Sequence, residues 1–238
     1  MKLFLKNLAI RFGVDIREFI PSRSAAARFQ RMLSHHDIDL VLDVGANVGN
    51  YARYLRAIGY KGTIVCFEPL SDAYSRLQIL ASRDTLLELA PRMALGDKDG
   101  DVLINIAGNS ESSSILEMLD SHKNAAPDSI YVGSERAPLR KLDDVAPIFF
   151  FDKKAAFLKI DAQGYESRVL DGATNILSKI KGIQLELSLV QFYAGETLYR
   201  ELIDRIESHG FKLYDLNPVF ADDVTGRTYQ LDGIFFKD

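Results

Sequence analysis

An apolar run that leads into a glycine-containing turn, VLDVGANVGN at residues 41–50, is the strongest structural signal in the sequence. Such a run before a turn of this kind, with helical spacing directly after it, is typical of the first strand, loop and helix of a nucleotide-binding α/β unit. Tyr51, Leu55 and Ile58 supply the helical spacing, and the pattern ends at Gly59. The turn therefore predicts a ligand site at the carboxyl end of the first strand.

Strand and helix patterns alternate along the rest of the chain. Further strands are predicted at GTIVCFEP (62–69), LLELAPRMAL (86–95), DVLINIAG (101–108), SIYVGSERAPLRKL (129–142), AAFLKID (155–161), KGIQLELSLV (181–190), FKLYDL (211–216) and YQLDGIFF (229–236). Apolar residues at helical spacing follow residues 69, 161 and 190, and the second of these helices is predicted to run through Leu177. Pro91 weakens the strand at 86–95.

The last two predicted strands indicate how the sheet ends. They are separated by a turn-rich loop of about ten residues, which is too short for the usual helical crossover between parallel strands. The last strand is therefore predicted to be antiparallel. About seven mostly parallel strands with an antiparallel last strand match the α/β, Rossmann-like, doubly wound sheet of class I methyltransferases.

The composition fits one folded domain and restricts its partners. The chain has 238 residues, of which 29 are Lys or Arg and 33 are Asp or Glu, and no basic block is long enough to follow a phosphate backbone. Nucleic acid is therefore not expected as a partner. Cys66 is the single cysteine, which rules out an internal disulfide and fits a cytoplasmic protein. No apolar run approaches the ~20 residues of a membrane span.

The chain is expected to contain a helical extension over residues 1–37 and a methyltransferase domain over residues 38–238. Residues 96–145 are polar and rich in Gly and Ser, and we interpret them as an insertion on the acceptor side. The first 20 residues mix apolar side chains with basic ones. They form either an amphipathic helix in weak contact with a membrane surface or a helix that packs across the edge of the domain. The sequence indicates no oligomeric state.

The turn itself distinguishes between nucleotide cofactors. A dinucleotide fingerprint G-x-G-x-x-G that begins at Gly45 needs glycine at two positions where the chain has Asn47 and Asn50. A P-loop pattern is absent from the sequence. S-adenosylmethionine suits the turn, because its carboxylate can lie near backbone N–H groups and because Asn47 tolerates a left-handed backbone.

An acidic residue ends the second strand. Glu68 follows Asp43 by 25 residues, near the spacing at which an acid binds a ribose in nucleotide-binding β-α-β units. Glu68 is therefore predicted to bind both ribose hydroxyls of the cofactor. The alternative is that Glu68 caps the helix that begins near Pro69.

Several long motifs occur in order and carry a family resemblance. They are VLDVGANVGNYARYLRAIGYKGTIVCFEPLSDAYSRL, ALGDKDGDVLIN, SSSILEMLDSH, FLKIDAQGYESRVLDGA and IQLELSLVQFYAGE. From about Leu40 to the C-terminus the chain closely resembles the FkbM family of S-adenosylmethionine-dependent methyltransferases. This resemblance implies an O-methyltransferase that acts on sugars or on polyketide-type natural products.

The resemblance also implies which residues bind the cofactor. The glycine-containing turn would form the cofactor loop, Glu68 would be the ribose acid, and residues 93–96 would lie by the adenine. The predicted cofactor-binding residues are Asp43, Gly45, Ala46, Asn47, Gly49, Asn50, Glu68, Pro69, Ala94, Leu95 and Asp161.

Methyl transfer requires an acceptor hydroxyl in line with the methyl group and a base for its proton. Asp161 is the predicted base, because it ends a buried strand at the edge where ligands bind in such sheets. The alternative is that Asp161 only caps the next helix. His122, in the inserted segment, is either an alternative base or an exposed loop histidine. Glu186 completes the predicted catalytic residues.

Glu166 and Asp232 lie near the ends of elements that neighbour Asp161 and Glu186. These acids either form an oxygen-rich site for a divalent cation or orient other groups through hydrogen bonds. No metal-specific spacing is present, so no metal is predicted.

The acceptor is expected to be a small molecule or glycan with a free hydroxyl. The residues predicted on its side of the site are Ser112, Ser113, Ser114, Gln163 and Tyr165. The three serines either line the acceptor pocket or form a flexible turn. A sugar hydroxyl on a glycan or glycolipid precursor is the first prediction, and a polyketide or peptide natural product is the second. A non-catalytic S-adenosylmethionine-binding module is the remaining alternative, and it would not need the Asp161 carboxylate.

Overall fold

The computed structural model describes residues 10–13 and 20–237, so most of the amphipathic N-terminal segment lies outside the described residues. The helices and strands, in chain order, are α1 (Ala25–His35), β1 (Leu40–Val44), α2 (Asn50–Ala57), β2 (Thr63–Phe67), α3 (Ser71–Ala81), β3 (Leu87–Leu89), β4 (Ala94–Leu95), β5 (Gly100–Ala107), α4 (Asp120–Ala125), β6 (Tyr131–Arg140), α5 (Leu142–Val145), β7 (Ala156–Ile160), α6 (Glu166–Asp171), β8 (Ile180–Ser188), α7 (Tyr199–Ser208), β9 (Lys212–Ala221) and β10 (Thr228–Phe236). Short 3₁₀-helices lie at Pro127–Ser129, Pro147–Phe150 and Ile176–Lys179.

The central sheet has seven strands in the order β3-β2-β1-β7-β8-β10-β9. β1 pairs in parallel with β2 and β7, and β7 pairs in parallel with β8. β10 runs antiparallel to both of its neighbours, β8 and β9. Residues 222–227 between β9 and β10 are too few for a crossover, which explains its direction relative to β9. The predicted doubly wound sheet with an antiparallel last strand is confirmed.

Helices cover both faces of this sheet. On one face Phe29 of α1 and Leu55 of α2 pack with Phe157 of β7. On the other face Val169 of α6 and Ile206 of α7 belong to a second buried cluster. The described part of the N-terminal extension therefore shares a hydrophobic core with the sheet. Within residues 10–13 and 20–237, no helix is long and apolar enough to cross a membrane.

Residues 96–145 form most of a second sheet, with the order β4-β6-β5. β4 pairs with β6 and not with the central sheet, so the run at 86–95 contains two strands where one is predicted. Pro91 has no N–H to donate to a strand ladder, and the chain leaves the central sheet there. Leu70, at the start of α3, packs with Ile104 and Leu139, which places the second sheet over the carboxyl end of β2.

The helix that the sequence predicts through Leu177 is shorter in the structure. α6 ends at Asp171, and a separate 3₁₀-helix begins at Ile176. Gly172 packs directly on the carbonyl group of Gly96, where a Cβ would overlap the oxygen. The helix therefore ends at a glycine that touches a distant part of the chain, although the apolar spacing continues to Leu177.

Candidate active site

A cavity of about 610 Å³ opens at the carboxyl edge of the central sheet. The loops after β1, β2 and β7 border it, together with β4 and part of β5. On another side the wall consists of Phe29 from α1 and of Tyr51 and Tyr54 from α2. One cavity therefore joins the glycine-containing turn to the acidic residues of β8, β10 and the end of β7.

The turn after β1 has a left-handed backbone at several positions. Gly45, Asn47 and Gly49 have φ angles of 76°, 46° and 83°. A Cβ on Gly45 would overlap the carbonyl oxygen of Asp161, so this turn packs directly on the loop after β7. Gly49 is the N-cap of α2 and faces Leu77 of α3. Glycine at position 45 thus permits the close approach of the two loops that border the cavity.

Glu68 connects this turn to the start of α3. Its Oε2 accepts the N–H of Asn47 at 2.7 Å, and its Oε1 accepts the N–H of Leu70 at 2.8 Å. Burial raises the pKa of Glu68 to about 7, although the two N–H groups act in the opposite direction. A carboxylate has more lone pairs than these two bonds use, so Glu68 can also accept hydrogen bonds from a ligand.

Gln163 connects Asp161 and Glu186, the two carboxylates that define the acidic end of the cavity. Its Nε2 donates to Asp161 Oδ1 at 2.8 Å and to Glu186 Oε2 at 3.0 Å. The hydroxyl of Tyr193 donates to Gln163 Oε1 at 2.7 Å and so orients the amide. The side chain of Asp161 remains 35% exposed. Asp161 is therefore held in place and still accessible to a ligand.

The neighbouring carboxyl groups bind protons more tightly than free side chains do. Burial raises the pKa of Glu186 well above its ordinary value, and the surrounding carboxylates raise it further. Burial also raises the pKa of Asp232 to about 6 and that of Glu166 to about 8. Part of this group is consequently protonated at neutral pH, which reduces the repulsion among its members.

Lys159, inside β7, provides a positive charge among these carboxylates. Its Nζ lies 3.2 Å from Asp43 Oδ1 and 3.4 Å from Asp161 Oδ2. Burial disfavours the charged lysine, but the nearby carboxylates outweigh burial and raise the pKa of Lys159 above its ordinary value. Lys159 is not among the site residues predicted from the sequence. A lysine within the apolar run AAFLKID was the available signal, because a charge in a buried strand requires a partner.

The structure brings most of the predicted site residues to this one cavity. Those that line it are Gly45, Ala46, Asn47, Asn50, Glu68, Pro69, Ala94, Leu95, Ser113, Ser114, Asp161, Gln163, Tyr165 and Glu186. Ser114 Oγ donates to the carbonyl oxygen of Gln163 at 2.6 Å, which joins the inserted segment to the loop after β7.

Other predicted residues do not reach the cavity. Asp43, Gly49, Ser112 and His122 are absent from its lining as far as the described residues show. The ring of His122 is buried and lies 4.7 Å from the ring of Phe192, and burial lowers the pKa of His122 to about 4. His122 is therefore not an exposed loop residue, and the structure does not place it beside the acidic end.

Some cavity residues are not among those predicted from the sequence. Besides Lys159, they include Phe29, Tyr51, Tyr54, Ser110, Glu111, Gln184 and Asn217. For Gln184 a signal exists, because polar residues alternate along β8 in IQLELS and alternate residues of a strand share a face. Tyr54 and Asn217 lie far apart in the chain, and only packing brings them to one cavity.

Asp161, Glu166 and Glu186 each place one carboxylate oxygen within 4.8 Å of the others. Such a group can hold a divalent cation. Glu166 Oε1, however, already accepts the N–H groups of Ala162 and Gly164. The prediction that no metal takes part stays a prediction.

The fold and the cavity together define the class of protein. A mostly parallel sheet of seven strands, with one antiparallel strand inserted beside the edge and a ligand cavity at the carboxyl ends of the strands, is the arrangement of class I methyltransferases. The family model described as the methyltransferase FkbM domain matches residues 43–213, and the chain belongs to this family. The resemblance found in the sequence is confirmed, and a methyltransferase of this class implies S-adenosylmethionine as the methyl donor.

Known relatives are distant in sequence. The 2-O-methyltransferase NoeI of Sinorhizobium fredii is 26% identical over 203 residues, which cover 83% of this chain and 82% of the relative. The AMB antimetabolite synthetase AmbE of Pseudomonas aeruginosa is 26% identical over 202 residues, covering 73% of this chain but 10% of the synthetase. The hexuronic acid methyltransferase AglP of Haloferax volcanii is 26% identical over 152 residues, covering 63% of this chain and 56% of the relative. The chain thus spans most of NoeI, about half of AglP and a small part of AmbE.

Proposed function

We propose that this chain transfers a methyl group from S-adenosylmethionine to a hydroxyl group of a sugar. The observation that carries the proposal is one shared cavity, which is lined by Asn47 and Glu68 beside the turn after β1 and by Asp161 and Glu186 beside the ends of β7 and β8. Donor and acceptor must meet in one space for in-line transfer, and alignment in such a space supplies much of the rate enhancement. A cavity of about 610 Å³ is within the usual size range of ligand sites.

The turn after β1 and the residues next to it fit S-adenosylmethionine. Gly45 has no side chain, and its turn leads into the N-terminus of α2, where a carboxylate is favoured. Glu68 has free lone pairs for ribose hydroxyls, and Met93 and Leu95 give the cavity an apolar wall for a flat base. The net positive charge of the cofactor also suits this lining, because most of its charged residues among those described are acidic.

The acidic end supports the remaining steps. S-adenosylmethionine supplies an electrophilic methyl group, so the protein has to align the acceptor oxygen and take its proton. Asp161 is the proposed proton acceptor, because it is partly exposed and Gln163 fixes one of its oxygens. Glu186 is proposed to keep a proton on Oε1, since its pKa is raised and its Oε2 accepts N–H groups from Gln163 and Gln230.

The relatives support a sugar as the acceptor. NoeI is named as a 2-O-methyltransferase and AglP as a hexuronic acid methyltransferase. The cavity wall offers the aromatic ring of Tyr54 and the amide of Asn217, which are suited to the apolar and polar parts of a sugar ring. The match to AmbE favours a second candidate, a hydroxyl group of a peptide-type natural product.

Cofactor binding tests the first half of the proposal. Glu68→Ala should weaken S-adenosylmethionine binding by about 1–3 kcal/mol, because hydrogen-bonding groups are left without partners. Glu88→Ala removes an exposed carboxylate of β3 and serves as the matched control. Calorimetry measures both affinities, and circular dichroism verifies that both variants fold. Unchanged affinity in a folded Glu68→Ala variant would remove Glu68 from the site.

Transfer of a tritium-labelled methyl group tests the second half. The unmodified chain is incubated with labelled S-adenosylmethionine and with sugars or peptide-type alcohols, and the products are separated by chromatography. Label on a sugar oxygen is the expected result. Label found on peptide-type alcohols alone would move the proposal to the second candidate, and cofactor binding without any transfer would favour a non-catalytic module.

A further inference from the structure

We propose that the acceptor is an uncharged sugar ring that packs on Tyr54, and that the acidic lining of the cavity excludes hexuronic acids. This inference rests on the proposed sugar methylation and specifies its substrate class. The proposed preference would distinguish the acceptor of this chain from that of AglP, which is named as a hexuronic acid methyltransferase.

Two stacked aromatic rings form one wall of the cavity. The rings of Tyr54 and Phe29 are parallel to within 4°, and their centroids are 6.3 Å apart. Phe29 is 2% exposed and supports Tyr54, whereas Tyr54 is 37% exposed and lines the cavity. The face of an aromatic ring is electron-rich and attracts the weakly positive C–H groups on the apolar face of a sugar. Tyr54 therefore provides a supported platform for such a ring.

Polar side chains from the sheet lie next to this platform. The ring of Tyr51 is 6.1 Å from that of Tyr54, and its hydroxyl donates to Gln184 Oε1 at 2.9 Å. Gln184 lies close enough to Asp232 to lower the pKa of its carboxyl group, and Asn217 lies directly opposite Asp232 in the pairing of β9 with β10. These amide and carboxylate groups offer several donors and acceptors for ring hydroxyls.

The charge of the lining decides which sugars fit. The acidic residues among the described lining are Glu68, Glu111, Asp161, Glu186 and Asp232. Lys159 is the one cationic residue of that described lining, and it is already paired with Asp43 and Asp161. Even with Glu186 protonated, a sugar carboxylate would lose its hydration beside Asp161 and Asp232, and no cationic side chain of the described lining is free to compensate, which disfavours its binding.

An arginine near the cavity does not change this balance. Arg28 donates to Asn217 Oδ1 at 3.1 Å, so it lies close to the proposed acceptor position. Its guanidinium also forms an ion pair with Asp215 at 2.6 Å. The charge of Arg28 is thus compensated by a carboxylate of the same chain.

Matched sugar pairs test the inference. The full chain is assayed with labelled S-adenosylmethionine and with methyl glycosides of glucose, galactose and mannose, each beside the corresponding methyl hexuronoside. The two members of a pair differ in the group on C5, which is hydroxymethyl or carboxylate. We expect kcat/KM for the preferred neutral glycoside to exceed that for its uronate by roughly 100-fold, as a like-charge contact implies.

Single substitutions test the effect of the acidic charge and the effect of the aromatic ring separately. Asp232→Asn should reduce the preference for the neutral sugar by about 10-fold, since one like charge is removed, whereas Asp223→Asn at an exposed position should leave the preference as it is. Tyr54→Ala should raise the KM for the sugar by about 10-fold without a change in cofactor affinity. Phe151→Ala, which removes an exposed ring outside the lining, is its control.

The outcomes separate this inference from the proposed function. Uronates methylated as well as or better than the neutral glycosides would overturn the inference and leave sugar methylation standing. Cofactor binding without transfer to any of the glycosides would overturn both. An unchanged KM for the sugar in Tyr54→Ala would show that the sugar does not pack on Tyr54.

Discussion

Lys159 and Asp43 form an ion pair in the interior, with Nζ 3.2 Å from Oδ1 and with side-chain exposures of 7% and 0%. The two residues are direct partners in the pairing of β7 with β1. The ring of Tyr51 lies over the ammonium group, with its centroid 5.3 Å away, and Asp161 lies 3.4 Å from Nζ. The ion pair therefore links the interior of the sheet to the carboxylate that we propose as the base.

Removal of Lys159 should destabilise the fold. Lys159→Met leaves Asp43 buried without a counter-charge, and we expect the free energy of unfolding to fall by about 3–5 kcal/mol. A second substitution, Asp43→Asn, should restore part of this loss. Arg76→Met breaks the exposed pair with Asp72 and should cost less than about 1 kcal/mol. Unfolding in urea measures all of these values, and equal losses for Lys159→Met and Arg76→Met would contradict the prediction.

Alanine substitutions at two glycines distinguish the stability cost of backbone strain from the cost of filling a closely packed position. Gly45 and Gly59 have φ angles of 76° and 91°, but only Gly45 has neighbouring atoms where a Cβ would lie. Gly59→Ala should therefore cost about 1–2 kcal/mol from strain alone. Gly45→Ala must also displace the carbonyl of Asp161, so it should cost more and weaken cofactor binding. Thermal unfolding measures the loss of stability, and calorimetry measures the affinity for the cofactor. If both variants lost similar stability and Gly45→Ala bound the cofactor normally, the contact between Gly45 and the carbonyl of Asp161 would not be important.

The affinity for S-adenosylmethionine should rise with pH. The pKa of Glu68 is raised to about 7, chiefly by burial, and its ionised form is the better acceptor for ribose hydroxyls. The ionised fraction increases about tenfold between pH 6 and pH 8 for such a group, so the affinity should increase by up to about tenfold. Calorimetry at several pH values gives the slope. Glu68→Gln should bind with a flatter pH profile, and an identical slope in this variant would assign the dependence to other groups, such as Asp232 or Glu166.

Asp161→Asn should separate binding from chemistry. The amide keeps the shape of the side chain but cannot take a proton, so we expect near-normal cofactor affinity and methyl transfer that is slower by roughly 10²-fold or more. Asp223→Asn, at an exposed position, is the control. Single-turnover transfer and calorimetry on one preparation supply both values. Full activity in Asp161→Asn would exclude it as the base, and loss of activity of the unmodified protein in a chelator would favour a cation held by Asp161, Glu166 and Glu186.

Local patterns predict most of the fold. Continuous apolar runs identify β1, β2, β7 and β8, because strands with both faces covered need apolar side chains throughout. The short loop before β10 identifies its direction. The errors lie where distant residues act on a local pattern. The run at 86–95 divides because β4 pairs with β6, and the helix predicted through Leu177 has its C-cap at Gly172, which packs on Gly96.

The candidate site also has some features that local sequence predicts and others that depend on tertiary packing. The turn at Gly45 and the acids at the ends of β2 and β7 can be read from neighbouring residues, because backbone freedom and strand ends are local properties. The partner of Lys159, the burial of His122 and the meeting of Tyr54 with Asn217 at one cavity follow only from packing. These contacts join residues far apart in the chain, and they depend on how helices are rotated against the sheet, which hydrophobic spacing alone leaves open.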